Sequence, residues 1–262
     1  MARRDLHGCR SIVTGASSGI GKYLAMQLSQ VGACLVLTAR REKRLNELVE
    51  WITDQGGRAF AVAGDITDEE VRQRCVDLAV DHLGGLDALI NNAGVGAYGP
   101  FADADSDRLR QIMEVNFFAP VELIRTALPH LKAGNRPIVV NVGSILGHRA
   151  GVFNSEYCAS KFALHGISDA LRAELSRDGI DVLHACPSLT ASEFTDSVLD
   201  RGDRTPKFVG KAMPPEVVAR KTIQAMRKGK SEILLSFGGK MLVWFDRFCP
   251  SLGNWLVRRF GG

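Results

Sequence analysis

The sequence predicts an α/β fold, a single doubly wound domain with a central seven-stranded parallel sheet flanked by helices. Seven short apolar runs alternate along the chain with amphipathic stretches of roughly 3.6-residue period, and this alternation is typical of a parallel sheet with helices on both faces. The apolar runs lack the polar alternation of half-exposed strands, so both faces of the sheet are expected to be covered. A length of 262 residues suits one such domain.

The predicted elements follow one another without a linker or an internal repeat. The predicted strands cover residues 11–14, 34–38, 59–62, 88–90, 138–142, 182–185 and 232–235. The predicted helices cover residues 19–31, 41–54, 67–84, 104–132, 156–177 and 214–228. We expect residues 1–237 to form the domain, with 190–212 as a substrate lid, and residues 238–262 to form a C-terminal extension.

Composition and charge exclude several classes of protein. The chain has a net charge of +4 and lacks a long basic run interleaved with aromatics, so nucleic-acid binding is not expected. A stretch of about 18 uncharged apolar residues is absent, and the first residues leave no room for a signal peptide, so a cytoplasmic location is expected. The six cysteines are scattered without metal-ligand spacing, which predicts reduced thiols and no metal.

A glycine-rich turn lies between the first predicted strand and the first predicted helix. It reads Thr14-Gly-Ala-Ser-Ser-Gly-Ile-Gly21, so free backbone N–H groups and the helix dipole would meet a bound phosphate there. The spacing G-x-x-x-G-x-G differs from the generic G-x-G-x-x-G dinucleotide fingerprint. The alternative is a tight strand-to-helix turn without a ligand.

The end of the second strand bears on the choice of nicotinamide cofactor. An acidic residue there binds the ribose 2′-OH of NAD, whereas an arginine favours the 2′-phosphate of NADP. Here the strand ends Thr38-Ala-Arg-Arg41, so Arg40, helped by Ser17 or Arg41, predicts NADP(H). The alternative is that both arginines begin a solvated basic helix.

Two further turns are candidate cofactor contacts. Asp65, with its neighbour Ile66, follows the third strand and is expected to meet the adenine. The segment Asn91-Asn-Ala-Gly94 follows the fourth strand and would bring backbone close to the cofactor ribose. Each is equally compatible with an ordinary turn.

A tyrosine and a lysine one helical turn apart are the candidates for proton transfer. Of the three tyrosines, only Tyr157 has a lysine, Lys161, four residues later, and residues four apart share a helix face. A nearby ammonium and an oxidised nicotinamide would favour the phenolate, which otherwise forms only near pH ~10. Tyr157 is therefore expected to exchange a proton near neutral pH.

Ser144 ends the fifth predicted strand, at the sheet edge where ligands bind in open α/β sheets. Its hydroxyl could donate to a substrate oxygen, although it could equally cap a helix or turn. Asn116 is a further polar candidate, and its alternative role is to hydrogen-bond neighbouring backbone.

Taken in order, these motifs resemble the short-chain dehydrogenase/reductase family, whose Rossmann-like fold matches the predicted alternation over residues 10 to about 190. The resemblance implies Tyr157 as acid/base, Ser144 as the group that polarises the carbonyl, Lys161 as ribose ligand and Asn116 in a water-linked proton relay. It also implies hydride transfer at the nicotinamide and association into a homodimer or homotetramer through the helices around 104–132 and 156–177. The residues expected to contact NADP(H) are Gly15, Ser17, Ser18, Gly19, Ile20, Gly21, Arg40, Asp65, Ile66, Asn92, Ala93, Gly94, Tyr157, Lys161 and Pro187.

One residue departs from the family pattern. Pro187 is followed by Ser188 where relatives usually carry glycine, and serine lacks the backbone freedom of glycine. This departure bears on the conformation of the loop and not on the reaction type. His148 and Arg149, just beyond Ser144, are left outside the predicted site because a solvated or backbone-bonded role fits them equally well.

The C-terminal segment 240–260 combines basic and aromatic residues. Residues 238–262 carry four basic groups and one acid, together with two of the three tryptophans, and the apolar residues follow a helical stripe at 241, 244, 245, 248, 252, 255 and 256. This pattern favours peripheral contact with a membrane surface. The alternative is a terminal helix pair, broken at Pro250, that packs on its own domain or on a partner subunit.

The sequence therefore predicts an NADP(H)-dependent oxidoreductase that interconverts a ketone or 3-oxoacyl group and a secondary alcohol, with a lipophilic small molecule as the expected substrate. A non-catalytic, dinucleotide-sensing regulatory protein is the rival from another class. A scaffold that associates through its tail is the third interpretation, and it leaves the ordered catalytic residues unexplained.

Overall fold

The computed structural model describes residues 4–191, 194, 198–201, 212–251 and 253–255. Within these ranges the chain forms nine strands, which are β1 (Arg10–Thr14), β2 (Cys34–Ala39), β3 (Arg58–Ala63), β4 (Ala88–Asn91), β5 (Gly96–Tyr98), β6 (Ile138–Val142), β7 (Asp181–Cys186), β8 (Val198–Arg201) and β9 (Glu232–Leu234). Seven of them form one parallel sheet in the order β3-β2-β1-β4-β6-β7-β9. The predicted fold class and all seven predicted strands are confirmed.

The helices of the described ranges are α1 (Gly19–Gln30), α2 (Glu42–Asp54), α3 (Glu69–Leu78), α4 (Ser106–Met113), α5 (Ala119–Lys132), α6 (Ser155–Leu175), α7 (Pro215–Lys228) and α8 (Phe237–Phe248). The predicted helix 67–84 is α3 continued by a π-helical turn, Ala79–Leu83. The predicted helix 104–132 is α4 and α5 joined by a second π-helical turn, Glu114–Phe118. A 3.6-residue pattern in sequence does not distinguish these turns from α-helix, because one wide turn shifts the apolar face only slightly.

Burial explains why the sheet strands are apolar throughout. Along β1, Ile12 packs into the core on one face of the sheet and Val13 into the core on the other face. Helices cover both faces, and α2 shows the matching amphipathic pattern with Leu45, Leu48 and Ile52 buried. Successive side chains of a central strand therefore both leave water, and the few polar ones, such as Ser11 of β1, are buried as well.

The strand order reverses direction between β1 and β4, which are neighbours in the sheet although three helices, two strands and a π-helical turn separate them in the chain. Such a switch point leaves a crevice at the carboxyl ends of the strands. In this crevice the hydroxyl of Thr14, at the end of β1, accepts hydrogen bonds of 2.9 Å from the backbone N–H groups of both Asn92 and Ala93. The crevice is therefore held together by contacts between its two walls.

A two-stranded parallel ladder, β5 with β8, was not predicted. These strands have three and four residues, and Gly96 and Gly99 make β5 and its exit resemble a turn. The predicted lid 190–212 lies largely outside the described residues; of it, the structure describes 190, 191, 194, 198–201 and 212. Among the residues that the structure does describe, none of the helices is both apolar and long enough to span a bilayer.

Helix α8 packs on the domain through one face only. Gly239 is buried beside Ile145, and Arg149 pairs with Asp246 at 2.7 Å. The opposite face carries the predicted apolar stripe, and its large side chains are exposed: Met241, Trp244, Phe245 and Phe248. Positions 252 and 256 of that stripe lie outside the described residues. The stripe therefore does not pack on the core of its own domain.

Candidate active site

A cleft of about 480 Å³ opens at the carboxyl edge of the sheet. It brings together almost every residue predicted for the site: Gly15, Ser17, Ser18, Gly19, Ile20, Arg40, Asp65, Ile66, Asn92, Ala93, Gly94, Ser144, Tyr157, Lys161 and Pro187. Gly21 and Asn116 do not line it. Gly21 is buried under the glycine-rich turn, and Asn116 lies behind the cleft wall beside Val115.

The glycine-rich turn is shaped to approach a ligand closely. Gly15 has φ +66°, and a Cβ there would lie 2.9 Å from both the Ala93 Cα and the Asn92 Nδ2. At Gly21 a Cβ would overlap the Gly15 carbonyl oxygen. Ser18 precedes α1, and no hydrogen bond from its side chain caps the helix within the described part of the chain. The amide groups of the first turn are therefore available to an anion such as a pyrophosphate, and the residues present fit a dinucleotide.

Asn92 joins the two walls of the cleft. Its Nδ2 donates to the carbonyl oxygens of Thr14 at 2.9 Å and Gly15 at 3.3 Å. The predicted ribose contact is therefore also a support for the glycine-rich turn. Thr14, which receives two backbone hydrogen bonds from the same segment, was quoted in the motif but not predicted as a site residue.

The two arginines that follow β2, Arg40 and Arg41, make different contacts. The Arg41 guanidinium donates to the hydroxyl of Ser17 at 3.2 Å and to that of Ser18. Arg40 is 61% exposed and lies 4.0 Å from the Asp65 carboxylate. Asp65 also accepts hydrogen bonds from the backbone and hydroxyl of Thr67, as in an ordinary turn. Both arginines therefore lie at the end of the cleft where an adenosine ribose would follow the pyrophosphate.

Tyr157 and Ser144 form the centre of the candidate catalytic group. Burial raises the pKa of the Tyr157 phenol, and a hydrogen bond with the Ser144 hydroxyl lowers it in part. Ser144 also caps the short helical turn Ile145–Gly147 by accepting from the Leu146 N–H at 3.1 Å. The alternative role considered for Ser144, a capping hydroxyl, and its predicted position beside Tyr157 therefore both hold.

Lys161 lies beneath the Tyr157 ring rather than beside its hydroxyl. Its Nζ is 5.6 Å from the ring centroid and donates to the Val142 carbonyl oxygen at 3.2 Å. The residue is 4% exposed, and this burial lowers the pKa of the ammonium to about 8. The prediction that Lys161 and an oxidised nicotinamide together favour the phenolate concerns the protein with bound nucleotide, and it stays a prediction.

Asn116 sits in the π-helical turn between α4 and α5. Its Oδ1 accepts from the Val95 N–H, while its Nδ2 donates to the Val95 carbonyl oxygen and to the Ser160 hydroxyl, all at 2.9 Å. Ser160 in turn donates to the Tyr157 carbonyl oxygen at 2.7 Å. Asn116 therefore connects the wall of the cleft to the start of α6. Its side chain hydrogen-bonds the Val95 backbone, which is the alternative role considered for it in the sequence analysis.

The loop after β7 adopts a conformation that serine accepts. Non-glycine residues with positive φ in the described ranges are Arg136 and Phe153, so Ser188 does not need the backbone freedom of glycine. The Pro187 carbonyl oxygen accepts from the Ile145 N–H at 3.0 Å. This bond fixes the loop against the Ser144 segment.

Several further residues line the cleft, and none of them was predicted individually as a site residue. They are mainly apolar, and they are Val95, Tyr98, Val115, Ile145, Leu146, Asn154 and Leu189, together with Thr190 and Phe194 of the predicted lid 190–212. The Phe194 ring packs edge-on against Tyr157 with centroids 5.6 Å apart. Asn154 is 3% exposed, and its Oδ1 finds no hydrogen-bond partner among the described residues. No spacing rule singles out such residues, because they come from loops that meet only in the fold.

Comparison with known sequences places this geometry in context. A family model described as short chain dehydrogenase matches residues 10–202. A hydroxysteroid 11-beta-dehydrogenase 1-like protein of Bos taurus is 39% identical over 264 residues, which covers 97% of this chain and 88% of the relative. The ketoacyl reductase HetN of Nostoc sp. is 31% identical over 262 residues, covering 98% and 90% respectively.

Solved structures show the same architecture. A short chain dehydrogenase of Burkholderia cenocepacia in complex with NADP has a TM-score of 0.78 at 28% identity, covering 87% of this chain and 96% of that one. A short chain dehydrogenase/reductase of Burkholderia phymatum in complex with NAD has a TM-score of 0.87 at 23% identity, covering 95% and 96%. The latter likeness bears on the fold alone.

Proposed function

Because the chain belongs to the short-chain dehydrogenase family and is an oxidoreductase of CH–OH groups that uses NAD(P), we propose that it is an NADP(H)-dependent reductase of a lipophilic ketone or 3-oxoacyl compound. One observation carries the proposal. The Tyr157 phenol and the Ser144 hydroxyl are hydrogen-bonded in the wall of a cleft whose other end is the uncapped start of α1.

In the proposed mechanism, bound NADPH supplies a hydride to the carbonyl carbon of the substrate. The Ser144 hydroxyl donates a hydrogen bond to the carbonyl oxygen and polarises it. The Tyr157 O–H then transfers its proton to that oxygen as negative charge develops, so that the product is a neutral secondary alcohol. The raised pKa of Tyr157 keeps the phenol protonated, which suits a proton donor in the reductive direction.

Lys161 has two proposed roles, both consistent with its buried position. Its ammonium would donate to the cofactor ribose, and its charge would stabilise the phenolate that remains after proton transfer. A Cβ at Gly94 would lie 3.1 Å from the Asn116 Oδ1, a tight contact, and 3.7 Å from the Lys161 Nζ, an ordinary one. Asn116 would hold the first turn of α6 in place and support the proposed proton relay.

The preference for NADP(H) rests on charge at the end of β2. Arg40 and Arg41 offer two guanidinium groups there, and Arg41 already contacts Ser17 and Ser18. A 2′-phosphate would be bound by this cationic group, whereas the carboxylate that commonly binds the NAD ribose is not present in Thr38-Ala-Arg-Arg41. The Asp65 and Ile66 pair is proposed to contact the adenine.

The apolar substrate side of the cleft supports a lipophilic substrate. Two of the relatives are named for a hydroxysteroid and for a ketoacyl group. We propose that residues 190–212 close over the substrate and that the extension 238–262 lies against a membrane surface from the cytoplasmic side. The exposed rings of Trp244, Phe245 and Phe248 and the free thiols of all six cysteines support this placement.

Association into a homodimer or homotetramer is proposed through α4, α5 and α6. These helices and the π-helical turn between α4 and α5 carry large apolar side chains that are 38–46% exposed, namely Leu109, Phe118 and Phe162. Burial of such a patch against a second copy would remove it from water.

The test is a screen of steroid, aliphatic and 3-oxoacyl carbonyls with NADPH and with NADH, following nicotinamide absorbance. We expect turnover of at least one lipophilic ketone and a preference for NADPH. A protein that binds dinucleotide tightly but turns over none of these carbonyls or the matching alcohols would instead be the non-catalytic sensor.

A further inference from the structure

Half of the six histidines lie together behind the Ser144 segment, outside the cleft. His148 ends the helical turn that Ser144 begins, His165 belongs to α6 and His184 to β7. The ring centroids of His148 and His165 are 4.1 Å apart, and those of His165 and His184 are 5.0 Å apart. Glu232 of β9 is paired with His184 in the sheet register. The cluster therefore joins four elements of the fold.

Three ligand-type atoms of this cluster lie close enough together to bind one metal ion. The Glu232 Oε1 lies 3.1 Å from the His148 Nε2 and 3.5 Å from the His165 Nε2. Two ligands bound to Zn²⁺ at about 2.0–2.1 Å in tetrahedral geometry are about 3.3 Å apart. Both Glu232 distances match this separation, and all three ligand atoms lie within 4.8 Å of one another.

The hydrogen bonding of His165 defines which ring nitrogen is free to bind. Its Nδ1 lies 3.3 Å from the Gly147 carbonyl oxygen, which can only accept, so the Nδ1 carries a hydrogen. Its Nε2 faces two carboxylate oxygens, one from Glu232 and one from Asp169 at 3.4 Å. A lone pair facing two anions is unfavourable unless a proton or a cation lies between them.

Two further residues form the inner wall of the cluster rather than its ligands. His184 and Cys186 are fully buried, and the His184 Nδ1 contacts the Ser168 hydroxyl at 3.3 Å. The Cys186 thiol lies 3.4 Å from the His148 Nε2. By contrast His148, His165 and Glu232 are 10%, 23% and 35% exposed in their side chains, which leaves a path from solvent.

We propose that His148, His165 and Glu232 bind a divalent transition metal ion of the Zn²⁺ class, with a fourth position open to water. Two imidazoles and one carboxylate favour such an ion over Mg²⁺ or Ca²⁺, which prefer oxygen ligands. The bound ion would link the Ser144 segment to α6 and β9 and so hold the segment that carries the candidate catalytic hydroxyl. Sequence spacing predicted no metal, because the three ligands are separated by 16 and 66 intervening residues.

The test is calorimetric titration of the EDTA-treated, full-length protein with zinc chloride. We expect one ion per chain, with the Kd at least tenfold weaker in His148→Gln and in His165→Gln. His130→Gln, a histidine of α5 outside the cluster, is the matched control and keeps the wild-type Kd. Added zinc should also raise the Tm of the wild type and of the control but not that of the two variants.

Three results would overturn the proposal. Zinc binding could be absent in the wild type, which would mean that the cluster is held by protons. Binding could survive both histidine substitutions and disappear in Cys249→Ser, which would place the ion on the exposed thiol. Binding could also persist in Glu232→Gln, the variant that carries the test if His148→Gln does not fold. None of these readouts uses catalysis, so they are independent of the proposed reaction.

Discussion

Arg108 and Glu156 form a buried, two-pronged ion pair between α4 and the first turn of α6. The Arg108 NH2 donates to the Glu156 Oε2 at 2.8 Å and its Nε to the Oε1 at 3.1 Å, and both side chains are 5% exposed. Glu156 directly precedes Tyr157. The pair therefore fixes the position at which the candidate proton donor enters the cleft.

Glu156→Gln should lower the free energy of unfolding by about 3–5 kcal/mol, because it removes the carboxylate charge that faces the buried Arg108 guanidinium. Urea unfolding measures this loss. The matched control is Glu122→Gln, which removes an exposed pair with Arg125 and should cost less than about 1 kcal/mol. Equal losses in the two variants would show that the buried ion pair stabilises the fold no more than the exposed one.

Gly21→Ala should weaken dinucleotide binding at least tenfold, because the added methyl group would overlap the Gly15 carbonyl oxygen and displace the turn. Gly166→Ala is the control on α6, where a Cβ meets no atom within 4 Å of the described chain. That change should leave dinucleotide affinity unaltered and stabilise the fold by roughly 0.5–1 kcal/mol. Fluorescence titration with NADPH compares the two, and unchanged affinity in Gly21→Ala would contradict the role of this turn.

The buried Lys161 should give stability a specific pH dependence in protein without nucleotide. The native pKa is about 8 and the ordinary value is 10.5, so between these pH values the unfolded chain keeps a proton that the native state has lost. The contribution of Lys161 to the free energy of unfolding should therefore rise with pH across this window, by up to about 1.4 kcal/mol per unit. Buried thiols such as Cys75, whose pKa burial raises to about 11, contribute in the opposite direction, so the effect of Lys161 is measured as a difference between the wild type and a variant. Lys161→Met should lack this rise, and parallel pH profiles of the two proteins would show that the ammonium is not perturbed.

Arg40→Asp should raise the KM for NADPH at least tenfold and leave the KM for NADH unchanged or lower, because it replaces a cation near the 2′-phosphate with an anion. Lys43→Asp makes the same charge change at an exposed position of α2 and is the control. If Arg40→Asp and Lys43→Asp change the KM values for NADPH and NADH by the same factors, Arg40 does not contact the 2′-phosphate and affects binding only through the net charge of the surface.

The parts of the molecule governed by repeated local rules were predictable from sequence. Residues 138–142 are apolar apart from Asn141 and form β6, and the 3.6-residue pattern of 214–228 marks α7. The motif residues Gly15, Ser144 and Tyr157 were found because fixed chain positions next to strand ends converge at one edge of a parallel sheet.

What sequence could not supply depends on contacts between distant segments. Phe194 reaches Tyr157 from a loop 37 residues further along the chain, and β5 pairs with β8 across about 100 residues. The burial of the Tyr157 phenol, which raises its pKa in the protein without nucleotide, is likewise visible only in the fold.

The account depends most directly on the phenol of Tyr157 as proton donor. Steady-state reduction of a ketone found in the screen should fall at least about 100-fold in kcat for Tyr157→Phe, while the Kd for NADPH changes less than twofold. Tyr23→Phe, at a partly buried position of α1, should retain wild-type turnover. Wild-type turnover by Tyr157→Phe would contradict the proposed mechanism.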